Sequence, residues 1–112
     1  MSEFVYLYRG GERPASPELM QQQMQKWLSW MKKLGDQGHI KDPGHPLDRT
    51  GKSVQGKQKT VTDGPYAEKD VVGGYTLVEA RDIGHAVELS SGCPIFDIGG
   101  IVEVRPVMKM DR

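Results

Sequence analysis

The sequence has one cysteine, no long apolar run and no excess of charge of either sign. Its 112 residues include 15 basic and 15 acidic side chains, so the formal net charge is zero. Because no field of a single sign draws the chain to nucleic acid or to an anionic membrane, we expect direct contact with neither. Charge or glycine interrupts each hydrophobic stretch well before the roughly 20 residues that a membrane helix needs.

The single cysteine, Cys93, cannot form a disulfide within the chain. No secretory leader precedes the first strand-like segment, and both features favour a reducing compartment, so we expect a cytoplasmic protein. Cys93 has no neighbouring base in the sequence that would activate it as a nucleophile. The chain has the usual size of one domain, and we expect a single domain over residues 1–112.

The first half of the chain predicts a strand followed by a helix. Residues 3–9 are rich in aromatic and β-branched side chains and end at two glycines, which is typical of a strand. Ser16 is an expected N-cap, and Pro17 suits the first helical turn. The helix has an apolar stripe that we expect to lie in the core, formed by Met20, Met24, Trp27, Met31 and Leu34.

The second half predicts a hairpin, a strand, a helix and a last strand. The hairpin is expected from residues 53–55 and 60–62, and the later strands from residues 75–80 and 101–108. Asp82 is the expected N-cap of the second helix. The complete order matches an α+β, ferredoxin-like sandwich, in which two helices cover one face of an antiparallel sheet.

Alternation along the strands divides the side chains of this sheet between two faces. We expect compact side chains to pack under the helices, namely Val5, Leu7, Thr76, Val78, Val102 and Val104. The opposite face then carries Phe4, Tyr6, Tyr8, Tyr75, Leu77, Glu79, Glu103 and Arg105. Because so aromatic a face is not left to water in a monomer, we expect a homodimer whose sheets meet face to face around a partly polar cleft.

Three motifs occur in order along the second half of the chain. They are Thr62-Asp63-Gly64-Pro65-Tyr66-Ala67-Glu68, Gly73-Gly74-Tyr75, and Gly99-Gly100-Ile101-Val102-Glu103-Val104-Arg105-Pro106-Val107. With these motifs the chain resembles the DGPF family of YCII-related proteins over nearly its whole length, and the resemblance implies a dimeric ferredoxin-like α/β barrel. Tyr66 stands where the family name has phenylalanine, and Lys69-Asp70 alters the usual lysine-containing stretch.

The resemblance leaves two classes of function open. Some members of the family are associated with extracytoplasmic-function sigma factors, and a more distant YCII branch is associated with a His-Asp pair in an enzyme-like cleft. The first predicted helix has no histidine and carries Trp27 and Trp30 in that region, so the His-Asp mechanism does not transfer. We expect a cofactor-free small-molecule enzyme using acid–base chemistry in the dimer cleft, or alternatively a non-catalytic ligand-binding or regulatory module.

Two side chains are candidates for catalytic proton transfer. Asp63 lies in the turn before a Gly-Pro pair, where it serves either as a general base or only to bond the backbone of the turn. His45 lies on a loop between a glycine and a proline, and histidine exchanges protons near neutral pH. His39 and His85 adjoin helix ends, where we expect solvated cap residues.

The expected ligand contacts come from Tyr6, Tyr66, Glu68, Tyr75 and Arg105. The hydroxyls and the carboxylate suit a polar ligand, although a strand tyrosine such as Tyr75 equally serves to pack. The guanidinium of Arg105 suits a carboxylate of a small-molecule ligand, or else pairs with a neighbouring glutamate. No histidine, cysteine or carboxylate spacing is typical of a metal site, and we expect neither a metal nor a cofactor.

Overall fold

The computed structural model describes residues 1–66 and 69–110, which form two helices, six strands and a short 3₁₀ helix. The strands are β1 (Ser2–Gly10), β2 (Ile40–Asp42), β3 (Lys52–Gln55), β4 (Thr60–Asp63), β5 (Val72–Ala80) and β6 (Gly100–Pro106). The helices are α1 (Pro17–Asp36) and α2 (Ile83–Ser90), and the 3₁₀ helix spans Pro94–Ile98. Neither α1 nor α2 combines the length and apolarity that a membrane crossing requires.

The main sheet has the strand order β2-β5-β1-β6, and each neighbouring pair is antiparallel. Both helices pack on one face of this sheet, so the α+β, ferredoxin-like architecture expected from the sequence is confirmed. β3 and β4 form a separate two-stranded sheet, inserted in the chain between β2 and β5. The sequence did not predict β2, which is short and depends on pairing with β5 for its existence.

Both helices begin where the capping residues predict. The side chain of Ser16 accepts a hydrogen bond from the backbone N–H of Leu19, and Pro17 occupies the first turn of α1. The side chain of Asp82 accepts from the backbone N–H of His85 at the start of α2. These side chains satisfy amide groups that lack partners within the first helical turn, which fixes where each helix starts.

The expected core stripe of α1 is partly wrong. Trp30 and Leu34 are buried, whereas Met20 and Met24 are exposed to solvent. Trp27 and Met31 pack against the core, and the side chain of Gln23, on the same side of the helix, donates to the backbone carbonyl of Pro94 in the 3₁₀ helix. The two methionines lie on the flank of the helix as a result.

The expected assignment of β1 to the two faces is also wrong. The register places Tyr6 opposite Thr76 on β5 and opposite Val104 on β6, so these three share the helix-covered face. Phe4, Tyr6 and Tyr8 are buried there, and Val5 and Leu7 lie on the opposite face. The assignments of β5 and β6 are confirmed, since Thr76, Val78, Val102 and Val104 all pack with the core.

Buried partners explain why the tyrosines point inward. The ring of Tyr6 stacks on Trp30 with centroids 6.2 Å apart, and the rings of Tyr8 and Trp27 form a T-shaped pair with centroids 4.8 Å apart. The Tyr6 hydroxyl donates to the backbone carbonyl of Ala86 in α2. Each tyrosine therefore buries a large apolar ring without leaving its hydroxyl unsatisfied. The smaller side chains of valine and leucine would bury less area in the same position.

Removing the Tyr6 hydroxyl tests this packing. Burial, followed by the nearby Cys93 sulfur, raises the pKa of Tyr6 to about 12. Tyrosine in the unfolded chain ionises near pH 10. Between about pH 10 and 12 the unfolded chain therefore binds fewer protons than the folded one, and the free energy of unfolding falls as the pH rises. We expect Tyr6→Phe to lower the free energy of unfolding by about 1 kcal/mol at pH 7. The variant should also lose less of that free energy than the wild type when the pH is raised above 10.

Chemical denaturation at pH 7, 10 and 11 measures both effects. Tyr66→Phe is the matched control, because Tyr66 is 83% exposed and its hydroxyl should contribute less than about 0.5 kcal/mol. Equal stability of the two variants at every pH would contradict the assigned role of Tyr6.

The thiol of Cys93 supports a second prediction. Cys93 lies in the core, and burial, together with the charge of Asp97, raises its pKa to about 12. Because the thiolate is the reactive form, we expect an aromatic disulfide reagent at pH 8 to label the native protein at least ~100-fold more slowly than the urea-unfolded chain. As a control, Ser91→Cys, at an exposed position nearby, should add one thiol that is labelled rapidly. Rapid labelling of Cys93 in the native wild-type protein would contradict the prediction and show that the core opens there.

Candidate functional site

One face of the main sheet is not covered by any other layer of the described residues. The described chain is only 18 Å thick, which is the depth of one sheet and one layer of helices. We call this surface the open face; it consists of Glu3, Val5, Leu7, Arg9, Tyr75, Leu77, Glu79, Ile101, Glu103 and Arg105. It contrasts with the helix-covered face, where the tyrosines and tryptophans pack.

The open face has an apolar centre formed by Val5, Leu7, Tyr75 and Leu77. Each of these side chains is partly exposed, although each lies on one of the two central strands of the sheet. A cluster of apolar side chains at the middle of a sheet is normally buried against another layer. The centre of the open face therefore has the composition of an interface.

Charged side chains stand at the two ends of the open face and along β6. At one end, which we call the acidic end, Glu3 lies opposite Glu79, and Lys41 Nζ is 3.8 Å from one carboxylate and 3.9 Å from the other. At the opposite end, which we call the basic end, Arg9 lies opposite Ile101, and its Nε is 2.7 Å from the Glu103 carboxylate. Arg105 lies opposite Val5, between the two ends, and its Nε is 3.9 Å from the same carboxylate.

His45 is held at one corner of the open face by a loop that follows the edge of β5. Pro46 pairs with Gly74, and the backbone N–H of Leu47 donates to Gly73 at 2.8 Å. Beneath the loop, the Tyr8 hydroxyl donates to Thr76 Oγ1 at 2.7 Å, and the Thr76 hydroxyl donates to the carbonyl of Pro43 at 2.9 Å. The buried hydroxyls thus fix the backbone that presents His45.

Two glycines make this close approach possible. Gly44 has φ +72°, and a Cβ at that position would lie 1.8 Å from the carbonyl oxygen of Tyr75. A Cβ on Gly74 would lie 3.1 Å from the carbonyl oxygen of His45. The Gly73-Gly74 pair before Tyr75 therefore indicates that a loop packs closely on β5.

The structure brings His45 and Tyr75 together and places Arg105 across the face from them. The rings of His45 and Tyr75 have centroids 6.4 Å apart. Tyr75 lies opposite Leu7, which lies opposite Glu103 on the next strand, and Arg105 is two residues further along that strand, opposite Val5. Because neighbouring strands are about 4.8 Å apart, about 10 Å of apolar surface separates Tyr75 from the strand that carries Glu103 and Arg105, which is wide enough for a small organic molecule.

The other predicted site residues lie elsewhere. Asp63 is at the end of β4, where its exposed carboxylate forms an ion pair with Lys52. Tyr6 is fully buried under the helices and does not reach the open face, and Tyr66 is an exposed side chain that follows β4. Glu68 lies outside the described residues. Asp63 and Tyr66 follow the hairpin strand and not a strand of the main sheet, which the sequence alone did not reveal.

Arg9 is a residue of the site that the sequence analysis missed. Its Nη1 donates to the backbone carbonyl of Asp70 at 3.2 Å in addition to its contact with Glu103. A signal was present, because alternation puts Glu3 and Arg9 in the same set as Val5 and Leu7. A set with a charged residue at both ends is poorly suited to burial under helices.

A cavity of about 550 Å³ opens beside the basic end and is lined in part by Gly10, Arg49, Asp70 and Gly99. None of the residues of the open face lines this cavity. Within residues 1–66 and 69–110, no group of three or more histidine, cysteine or carboxylate side chains converges in a way that could hold a metal ion.

Comparison with known proteins identifies a family and a similar solved structure. The chain is similar to the 5-chloro-2-hydroxyhydroquinone dehydrochlorinase from Burkholderia phenoliruptrix AC1100, solved in complex with 2,5-dihydroxybenzoquinone, with a TM-score of 0.48 and 20% identity over 92% of this chain and 91% of that one. No curated protein sequence matches. The model of the YCII-related domain matches residues 4–111, and the chain therefore belongs to the YCII-related family.

Proposed function

We propose that the protein acts as a homodimer whose two open faces enclose a cleft, and that this cleft binds and converts a small organic anion by acid–base chemistry without a cofactor. One observation carries the proposal: a histidine-tyrosine pair and an arginine-glutamate-arginine group stand on opposite sides of an apolar strip on an uncovered sheet. Clefts that bind small molecules commonly combine apolar walls with a few such polar groups.

The charges of the open face favour a second copy as its cover. In a two-fold symmetric pair with antiparallel β1 strands, the acidic end of one copy meets the basic end of the other, and the apolar centres meet each other. The contacts would join Glu3 and Glu79 of one copy with Arg9 of the second. A parallel arrangement would place like charges together, so the pattern also favours one orientation.

Arg105 is the expected anchor for an anionic ligand. Arg9 already contacts Glu103 at 2.7 Å and the carbonyl of Asp70 at 3.2 Å. The Arg105 side chain is 66% exposed and lies 3.9 Å from Glu103, beyond normal hydrogen-bond length. Its guanidinium donors are consequently available to a carboxylate or phenolate, which a planar fork binds through two parallel bonds.

His45 is the expected proton acceptor and donor. Its imidazole lies beside Tyr75 across the apolar strip from Arg105, so an anion bound to the arginine would extend toward it. A neutral imidazole takes a proton from the ligand, and the resulting imidazolium returns it later in the reaction. The Tyr75 hydroxyl can donate to an oxygen of the same ligand, and the rigid loop keeps the two groups in place.

A non-catalytic ligand-binding module is the second candidate, and the position of Asp63 favours it. Its carboxylate pairs with Lys52 on the hairpin, which forms a sheet of its own. Of the two expected acid–base groups, Asp63 is therefore not on a strand of the main sheet. A site with one such group is sufficient to bind and report a metabolite, as a regulatory protein requires.

A charge at the centre of the open face should prevent dimer formation. We expect Leu77→Arg to raise the dimer dissociation constant at least ~100-fold, because each interface would bury two uncompensated guanidinium groups. Leu28→Arg is the matched control, since Leu28 is an exposed leucine on α1 and its replacement should leave the constant unchanged. Analytical ultracentrifugation from 0.1 to about 50 μM protein measures both; a monomeric wild type throughout that range would contradict the dimer.

A panel of small acids separates the two candidate functions. Benzoate, 4-hydroxybenzoate and malonate, with benzamide as an uncharged control, would be screened by thermal shift and calorimetry. We expect Arg105→Met to weaken binding of an acid by about 10- to 100-fold, whereas Arg81→Met, at an exposed arginine outside the face, should not. If the wild-type protein converts one of the bound acids, His45→Gln should abolish turnover and retain binding. Binding by the wild type without turnover would support the ligand-binding module. If no acid binds, Arg105 is not the proposed anchor.

A further inference from the structure

The β3–β4 hairpin extends from the described chain as an arm. Its two strands pair with each other from Lys52 opposite Asp63 to Gln55 opposite Thr60, and no other helix or strand of the described chain packs extensively against them. The radius of gyration is 15.7 Å, whereas a compact chain of this length has about 13 Å. The excess follows from an arm that does not fold back on the sandwich.

The arm has one apolar side. Val54 and Val61 lie directly opposite each other and are 62% and 57% exposed. Ser53 and Thr62, which also form a pair, project from the other side of the ribbon. A two-stranded ribbon is only marginally stable by itself in water, and a valine pair that stays exposed to water adds little to its stability. The apolar side also carries the Lys52–Asp63 ion pair at the base of the arm, so its apolar part is the valine pair nearer the turn.

The arm leaves the sandwich at the basic end of the open face. The chain enters it after Leu47, which bonds to Gly73, and returns at Val71, whose carbonyl accepts from the backbone N–H of Gly10. The turn of the arm contains Lys57 and Lys59. With Lys52 and Asp63 included, the arm holds three basic side chains and one acidic one, so its charge complements the acidic end of another open face.

We propose that the arm of each protomer packs on the other protomer, with Val54 and Val61 against its surface and Lys57 and Lys59 near its acidic end. This inference rests on the homodimer of the proposed function and adds a contact outside the open face. The described chain measures 47 by 45 Å in its broad dimensions, so a second copy stacked on the open face extends far enough to lie beside the arm. The arm then closes the cleft at the end where Arg9 stands.

Two neighbouring residues of β4 provide a matched test. Val61→Asp places a carboxylate on the apolar side of the arm, and Thr62→Asp places the same group on the polar side. We expect Val61→Asp to raise the dimer dissociation constant at least ~10-fold and Thr62→Asp to change it less than ~2-fold. Circular dichroism melting confirms that both variants retain the sandwich, with which the arm shares few contacts.

Hydrogen exchange of the wild-type protein gives an independent measurement. We expect the backbone amides of residues 52–63 to exchange at least ~10-fold more slowly at a protein concentration that favours the dimer than at one that favours the monomer. Equal exchange at both concentrations, or equal dissociation constants for the two variants, would overturn the inference. If Leu77→Arg still separates the protomers in that case, only the arm contact fails; if the wild type never dimerises, the proposed cleft fails with it.

Discussion

The packing of two tyrosines against two tryptophans determines which side of the sheet is buried. Tyr6 and Tyr8 on the central strand β1 contact Trp30 and Trp27 on α1. Aromatic side chains bury more area than valine or leucine, and the tyrosine hydroxyls find partners on α2 and β5. Once these rings are under the helices, alternation forces Val5 and Leu7 to the other side, so the open face follows from the core.

The same core also positions the candidate site. Tyr8 is bonded to Thr76, and Thr76 is bonded to the carbonyl of Pro43, so the loop that carries His45 is tied to the buried face of the sheet. Burial raises the pKa of Tyr8 well above its usual value, and the bond to Thr76 offsets only part of that shift. Tyr8 therefore remains a neutral donor at physiological pH, and the bond that orders the loop does not depend on pH there.

Local sequence signals predicted the elements that depend on local physics. Ser16 and Asp82 cap their own helices, and alternation along β5 and β6 separates the two faces, because each effect acts within a few residues. Alternation by itself does not say which set of a central strand is buried. For β1 the decision depends on partners such as Ala86, which is 80 residues from Tyr6 in the chain.

The candidate site was only partly predictable for the same reason. His45, Tyr75 and Arg105 were identified by residue type and by their position on loops and strands. The turn around Asp63 looked equally suitable, but it closes a hairpin that stands apart from the main sheet. Only the pairing of β2 with β5 reveals that the hairpin is an insertion, and β2 is too short for its sequence to indicate a strand.

The charge balance of the open face limits how a ligand can bind there. If a second copy brings its acidic end to the basic end of the first, the two net charges neutralise each other and no excess cation remains for an anion. A ligand must then take Arg105 from Glu103, and their separation of 3.9 Å makes that contact weak. Arg9, at 2.7 Å, would stay with Glu103 and keep its carboxylate compensated after the exchange. In the proposed cleft, the unequal distances would let Arg105 bind a ligand while Arg9 keeps its ion pair with Glu103.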